Sequence, residues 1–355
     1  MNELELCVWL NGCEGLSANV LQHVDLSDKP EKIVEKLRHG EVVSPRGAER
    51  LKKLAQENWH KKEIERAENA GIFLISWYSN ERYPSRLRDI AEPPLVLYAK
   101  GNWTDFESAY SVVGTRRCTP YGFRVASLIG SALSRAGMTV VSGGARGIDG
   151  AAHGGALESG GTTAAVLGTG VDVVWPPEHD ELFDNILRRG ALLSEYPLGT
   201  VGRAWRFPRR NRIIAGLSKS LIVVESPLKG GAMITARLAM EMGRDVWAVP
   251  GRIDERVCEG SNRLILDGAS PLVNVADFVD HVSHFGQLDL FAPLELGDDE
   301  RRVLDCLADQ GDLTLDQISQ RTGIAAVELM RLISELQVQS LIYTSGGGRW
   351  RAAPH

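Results

Sequence analysis

Residues 139–153 read TVVSGGARGIDGAAH. Thr139 to Ser142 is a short β-branched run. Gly143 and Gly144 break it, and a helix-compatible stretch opens near Ile148. Strand, glycine turn and helix in that order are half of a βαβ unit. The same cadence recurs outward on both sides. Apolar runs stand at FLISWY (73–78), LVLYAK (95–100), SVVG (111–114), TAAVLG (163–168), ALLSEY (191–196), LIVVES (221–226) and DVWAVPG (245–251). From Ser111 onward most are followed by 10–15 residues of helical character, which predicts a parallel sheet. Several runs are continuously apolar, as strands are when helices cover both faces of their sheet. The two earliest runs flank a corner at Glu92, Pro93 and Pro94 and are expected to extend one sheet edge.

The chain has 355 residues, 43% hydrophobic and 24% charged, with a formal net charge of −6. That length predicts two or three domains of ordinary globular composition. Residues 1–66 read as short helices with Gly, Asn and Pro breaks, a helical N-terminal domain of helix-hairpin or sterile-alpha-motif type. GCEGLS (12–17) has the look of a helix-turn-helix corner, but acids and bases there nearly balance, which favours a structural or interaction role over DNA binding. Residues 67–285 carry the α/β pattern of an extended Rossmann-like domain. Pro271 to Gly297 shows no sustained period and reads as a linker. Residues 297–355 predict three helices and a glycine-turned hairpin, a winged helix, with Thr314 as N-cap and Gly323 as C-terminal stop. No apolar run reaches the ~20 residues of a membrane span. The acidic start MNELEL is not a signal peptide pattern, and five scattered cysteines fit a reducing cytoplasm. No His/Cys spacing suggests a metal, and no cofactor is expected.

In open α/β sheets, ligands bind where strands end and loops enter helices. Those loops carry Gly114, Thr115, Arg116 and Arg117; then Gly143, Gly144, Arg146 and Gly147; then Gly168, Thr169 and Gly170; and finally Lys229, Gly230 and Gly231. Glycine lets an anion approach the backbone, and helix N-termini present free N–H groups. Between the last two lies RAWRFPRRNR (203–212), with Arg203, Arg206, Arg209, Arg210 and Arg212 and no acid. Phe207 and Trp205 interrupt it, and Asn211 precedes its last arginine. Planar cations interleaved with aromatic rings grip single strands without reading sequence. A solvated basic loop beside an acidic neighbour is the alternative. The rim as a whole favours phosphate.

Catalytic patterns are thin. GxxxxGK[ST] is absent, and GGARG does not fit GxGxxG. Asp149 and His153 lie one helical turn apart. A helix-start acid and a packed histidine are favoured over an acid-oriented base. Glu195 is expected to pair with a nearby arginine and not to act as a base. The last domain has six Arg and no Lys against nine acids from Asp298 onward, and its expected recognition helix holds Glu328, Arg331 and Glu335. A protein-contact or regulatory role is favoured there over duplex reading. Only the wing, with Arg349, Trp350 and Arg351, suits phosphate.

At this point the middle domain resembles the DNA-processing protein A family, also called DprA or Smf. The resemblance rests on VVGTRRCTPYG, VVSGGARGIDGAAHGGAL, AAVLGTGVDVVWPPEH, LLSEYPLG, FPRRNRIIAGLS, ITARLAMEMGRDVWAVPG and GSNRLILDGA, from Ser111 to Val273. It implies a cytoplasmic bacterial protein that binds single-stranded DNA, protects incoming strands during natural transformation and helps load the RecA recombinase. It also implies a homodimer built through the middle domain, no catalytic turnover and no cofactor. Carried over, the DNA-binding positions are Thr115, Arg116, Gly143, Gly144, Arg146, Gly147 and the segment from Arg203 to Arg212, including Arg206, Phe207, Arg209, Arg210 and Asn211. Lys229 is a further expected phosphate contact. Four departures stand out. Thr115 replaces a frequent Ser, and Gly144 a frequent apolar residue. Arg203 or Arg206 stands in for a Lys, and LKGG (228–231) replaces a Ser-Gly-Ser segment. The runner-up, a phosphoribohydrolase-like nucleotide enzyme, would need a carboxylate in PLKGGAMITARLAM (227–240), which has none.

Overall fold

The apolar runs form one nine-stranded sheet in the computed structural model. That model describes residues 1–102, 106–283, 297–338, 341–346 and 348–352. The strands are β1 (Phe73–Ser76), β2 (Val96–Gly101), β3 (Ala109–Val113), β4 (Thr139–Ser142), β5 (Thr163–Val166), β6 (Ala191–Ser194), β7 (Ser220–Val223), β8 (Asp245–Ala248) and β9 (Ser270–Pro271). Their order is β1-β2-β6-β5-β4-β3-β7-β8-β9. From β6 to β9 all pairings are parallel. β1 and β2 extend the β6 edge antiparallel, as expected. Every residue of β3 to β7 is buried, which explains the absence of polar alternation in their sequences. Among the described residues no helix is long and apolar enough to cross a membrane.

Twelve α-helices accompany this sheet among the described residues. The first four are α1 (Glu3–Asn11), α2 (Pro30–His39), α3 (Pro45–Gln56) and α4 (Trp59–Asn69). The others are α5 (Ser85–Arg88), α6 (Pro120–Arg135), α7 (Ile148–Glu158), α8 (Asp180–Arg189), α9 (Arg206–Leu217), α10 (Gly231–Glu241), α11 (Glu259–Leu266) and α12 (Val275–Ser283). Residues 1–288 make one compact unit. In it, α1 to α4 share a hydrophobic core with the sheet. Trp9 and Leu10 pack in the same cluster as Tyr98, Leu167 and Phe183. Five consecutive residues of α1, Leu6 to Leu10, are buried. A helix buried all round is a core element of the unit it packs in. The Trp9 indole N–H donates to the Leu51 carbonyl at 2.9 Å, joining α1 to α3. Fully burying side chains of this size stabilises by about 1.5–3 kcal/mol each.

One expectation fails. The stretch read as an aperiodic linker from Pro271 contains α12. Asn274 opens it, its side-chain oxygen accepting from the Ala276 N–H at 2.8 Å. Phe278 and Val279 are buried, with the Phe278 ring edge-on to Trp247 at 5.0 Å and to Tyr110 at 6.4 Å. Val275, Phe278, Val279 and Val282 do follow helical spacing. The mixed His and Asp residues around them obscured it.

Residues 289–355 are a second unit. It contains α13 (Asp298–Gln310), β10 (Leu313–Thr314), α14 (Leu315–Thr322), α15 (Ala326–Val338), β11 (Ile342–Gly346) and β12 (Arg349–Ala352), with strand order β10-β12-β11. This order is consistent with a winged helix. The Thr314 side chain caps α14 by accepting from the Gln317 N–H, and Gly323 ends the helix in the left-handed conformation.

Candidate nucleic-acid interface

The order of connection reverses between β3 and β7. From β3 the chain steps through β4, β5 and β6 on one side. From β7 it steps through β8 and β9 on the other. At such a reversal the loops at the carboxyl ends of the strands diverge and leave a crevice. Here the crevice has a volume of about 640 Å³, lined in part by Thr115, Arg116, Phe207, Asn211, Gly230 and Thr235. A hollow of about 150 Å³ shares the Arg116–Phe207 wall and is closed by Trp175, Pro176 and Arg146.

The exposed cations come from four loops. Arg116 follows β3, and its guanidinium carbon lies 5.1 Å from the centre of the Phe207 ring. Arg117 and Lys229 are exposed, and so is Arg203. Arg146 pairs with Glu178 while keeping 62% of its side chain exposed. Among the described residues, ion pairs in this region engage Arg146, Arg206, Arg209 and Arg212, and none engages Arg116, Arg117, Arg203 or Lys229. Phe207 is half-buried against Gly168, and Trp175 is 47% exposed across the small hollow. Cations and flat apolar faces therefore meet at one edge of the sheet.

The other arginines of the 203–212 segment are placed differently, because α9 begins at Arg206 and dives into the core. Arg206 is buried. Its Nε and Nη2 donate to Glu14 at 2.6 and 3.2 Å, and Nη1 donates to the Val201 carbonyl. Arg210 is buried, with Nη1 on the carbonyls of Gly143, at 2.7 Å, and Val166. Burial pushes its guanidinium down to about 10, with Asp149 opposing the shift. Arg212 is buried and bidentate to Glu195 at 2.7 and 2.6 Å, with Nε on the Glu92 carbonyl. Burial works against its charge, and Glu195 outweighs burial, leaving its pKa raised. Arg209 is largely covered and donates to the Gly15 carbonyl at 3.1 Å. Asn211 accepts from Arg210 and donates to the Gly231 carbonyl at 3.4 Å. As placed, Arg206, Arg210 and Arg212 aim their forks at protein groups and not at solvent.

The glycine loop is also turned inward. The N–H groups of Gly143 and Ala145 donate to Asp149 Oδ2 at 3.2 and 3.4 Å. The anion at the start of α7 is thus the protein's own carboxylate. Burial raises the Asp149 pKa, and Arg210 and these N–H groups oppose that. A Cβ at Gly143 would sit 2.6 Å from Arg210 Nη2. At Gly147, φ is +75°, and a Cβ would sit 2.5 Å from the Thr115 carbonyl oxygen. Both glycines let the two loops and Arg210 close together. The Thr115 N–H donates to the Glu225 carbonyl at 2.7 Å, and its hydroxyl oxygen accepts from the Arg117 N–H at 3.2 Å.

Residues 74–283 match the family model for DNA recombination-mediator protein A. The chain is 34% identical over 349 residues to the Mycobacterium tuberculosis protein named for DNA processing, DprA, covering 91% of this chain and 87% of that one. It is 36% identical over 294 residues to protein Smf of Escherichia coli, covering 78% and 77%. The chain belongs to the DNA recombination-mediator protein A family. The DprA structure from Streptococcus pneumoniae superposes with a TM-score of 0.68 at 31% identity, over 79% of this chain and 97% of that one. DprA from Helicobacter pylori, solved for its mode of binding single-stranded DNA, gives 0.53 at 29% identity, over 56% and 92%.

In this member of the DprA family the carboxylates around the crevice are occupied. Asp149 holds the glycine loop, and Glu195 holds Arg212. Glu225 is buried and accepts from the Thr119 N–H and hydroxyl at 2.8 and 2.6 Å, fixing the start of α6. His153 is fully buried and bonded to Thr163, away from Asp149. Sequence reading passed over Trp175, although an aromatic residue between β-branched and proline residues in DVVWPP was the available signal. It also passed over Glu14 and Glu92, which lie nearly 200 and just over 100 residues from the arginines they hold.

Proposed function

We propose that the chain binds single-stranded DNA along the crevice at the β3–β7 reversal and mediates recombination without turning over a substrate. The observation that carries this reading is the crevice lined by Arg116 and Arg117, which no ion pair engages among the described residues, together with Phe207 and Trp175, with Arg203 and Lys229 exposed on neighbouring loops. Exposed arginines take phosphates, and the rings stack bases. Arg146 joins them by exchanging Glu178 for a phosphate. Gly143, Gly144, Gly147, Thr115 and Asn211 act through shape, and the buried arginines hold that shape. The same reading includes protection of incoming strands during natural transformation, RecA loading, a homodimer and a cytoplasmic location, all implied by the family. The single-strand binding named for the H. pylori relative supports it. The N-terminal helices, the sheet domain and the winged helix are proposed as three functional parts. In the last of these, Arg331 is paired with Glu328 and Glu335 on α15, which supports a protein-contact role.

Anisotropy titration of labelled single strand and of duplex, each at two salt concentrations, tests this. With four or five phosphates neutralised, single-strand affinity falls with a log–log salt slope of about −3 to −3.5. Equal and weak binding of both forms refutes the reading. Base release from nucleoside monophosphates would then favour the nucleotide-enzyme alternative, against which the occupied carboxylates speak.

A further inference from the structure

Arg203 stands beside the crevice without lining it. Its neighbours Gly202 and Ala204 line the crevice, whereas Arg203 lines a separate groove of about 600 Å³ between the N-terminal helices and the α9 loop. The opposite wall comes from α3 and the turn at residues 12–16, with Arg46, Arg50, Ser44 and Glu14. Arg46 and Arg50 are exposed. They are one helical turn apart, a rise of about 6 Å, so both lie along the groove and are far enough apart to meet successive phosphates. The neighbouring acid Glu49 pairs with Lys52 at 3.1 Å, and Glu57 with Lys53 at 3.7 Å. Glu14, the groove's one acid, is held by Arg206. Among the described residues no ion pair engages Arg46, Arg50 or Arg203, so three arginines face one groove uncompensated. The groove is also preformed. Arg206 on Glu14 and Arg209 on the Gly15 carbonyl pin the 12–16 turn to the start of α9.

We propose that this groove is a second phosphate-binding segment of the single-strand path, in which a strand leaving the crevice crosses Arg203 and runs along Arg46 and Arg50. The inference rests on the crevice reading given under Proposed function. Arg203 stands on the groove wall between Gly202 and Ala204, which line the crevice, and this adjacency favours a continuous polyanion over an acidic peptide docked on the helices alone. The N-terminal helices thereby contribute to strand length: the crevice holds a short segment, and the groove engages only a longer one.

The experiment titrates the full chain with labelled oligothymidylates of about 6 and about 16 nucleotides, within the span of known single-strand sites. The Arg46→Glu/Arg50→Glu double variant is expected to bind the short strand as the parent does and the long strand about tenfold more weakly. Its salt slope on the long strand flattens by about 1.4, two contacts at roughly 0.7 each. The Arg46→Gln/Arg50→Gln variant shows the same flattening with a smaller loss of affinity, and guards against a folding defect from charge reversal. Parental affinity and slope for both variants on the long strand overturn the proposal, and so does equal weakening on both lengths. Failure of the parent chain to bind either strand overturns the crevice reading itself, which separates the two failures.

Discussion

Arg203 and Arg210 stand seven residues apart in one arginine-rich segment and have opposite fates. Arg203 is exposed and, among the described residues, pairs with no carboxylate. Arg210 is 3% exposed, its guanidinium lodged between backbone carbonyls and Asp149. The difference is set by where α9 begins. Before Arg206 the chain is a surface loop. After it, every residue from Arg210 to Leu217 is buried. Charge density in a sequence counts cations without saying which are available. Here the buried cations hold the loops beside which the exposed ones stand, so on the proposed reading the two groups should fail in different assays.

The largest effect is expected at Arg212. Its removal leaves Glu195 buried without its bidentate partner, and breaking a buried pair costs about 3–5 kcal/mol. Arg212→Ala should lower the denaturant midpoint by a corresponding amount. The folded fraction should retain near-parental single-strand affinity per active molecule. A stable Arg212→Ala protein that has lost DNA binding would reverse the assignment and make Arg212 a contact.

Arg116→Glu is the mirror experiment. An exposed substitution shifts stability by no more than about 0.5 kcal/mol. A charge-assisted contact is worth about 1.5–3 kcal/mol, so affinity should drop roughly 10- to 100-fold on every sequence, with a flatter salt slope. Unchanged affinity with an unchanged melting curve would show that the exposed half of the comparison is solvated surface. Phe207→Leu sharpens the contrast within the crevice. Loss of one stack should weaken binding by about 1–3 kcal/mol while the salt slope stays parental. A slope that fell with it would mean the ring mainly positions Arg116.

Much of this was legible in the sequence, and the limits have physical causes. Parallel strands covered on both faces are continuously apolar, so β3 to β7 could be read directly. The rim followed from the rule that loops at strand ends face the ligand. The partners of the arginines could not be read, because Glu14 pairs with Arg206 across 192 positions and is brought there only by packing of α1 on the sheet. The glycine loop has the composition of a phosphate cradle, and only the position of Asp149 Oδ2 shows that its N–H groups are already occupied. How closely the N-terminal helices pack on the sheet was not legible either, because it shows only in the buried residues of α1, which share a cluster with Tyr98 and Phe183.

The smallest effect tests whether the buried polar groups are truly silent in binding. Asp149 and His153 share one face of α7 by spacing, yet their side chains meet different groups. His153 Nδ1 lies 2.7 Å from Thr163 Oγ1, and that hydroxyl donates to the Val140 carbonyl at 2.8 Å. The hydroxyl proton is therefore committed, so Nδ1 carries a hydrogen and donates, and Nε2 is left buried without a partner. Burial, aided by His179 and Arg210, pushes the imidazole down to about 3. In the unfolded chain it titrates near 6.5, as histidine ordinarily does. With the folded pKa the lower of the two, the unfolded state binds the extra proton first. The stability contributed by neutral His153 is complete above about pH 6.5 and is lost as pH falls towards 3, at up to about 1.4 kcal/mol per pH unit. Denaturant midpoints of the parent and His153→Gln at pH 7, 6 and 5 should diverge, the parent falling more steeply. Taking the difference between the two removes the contributions of other titrating groups such as Asp149, whose raised pKa acts with the opposite sign. Both proteins should bind single-stranded DNA equally at pH 7.5. Parallel midpoint curves would mean that His153 takes up its proton in the fold as readily as in the unfolded chain. A loss of binding in His153→Gln would mean that the packed layer beneath the crevice sets affinity as well as stability.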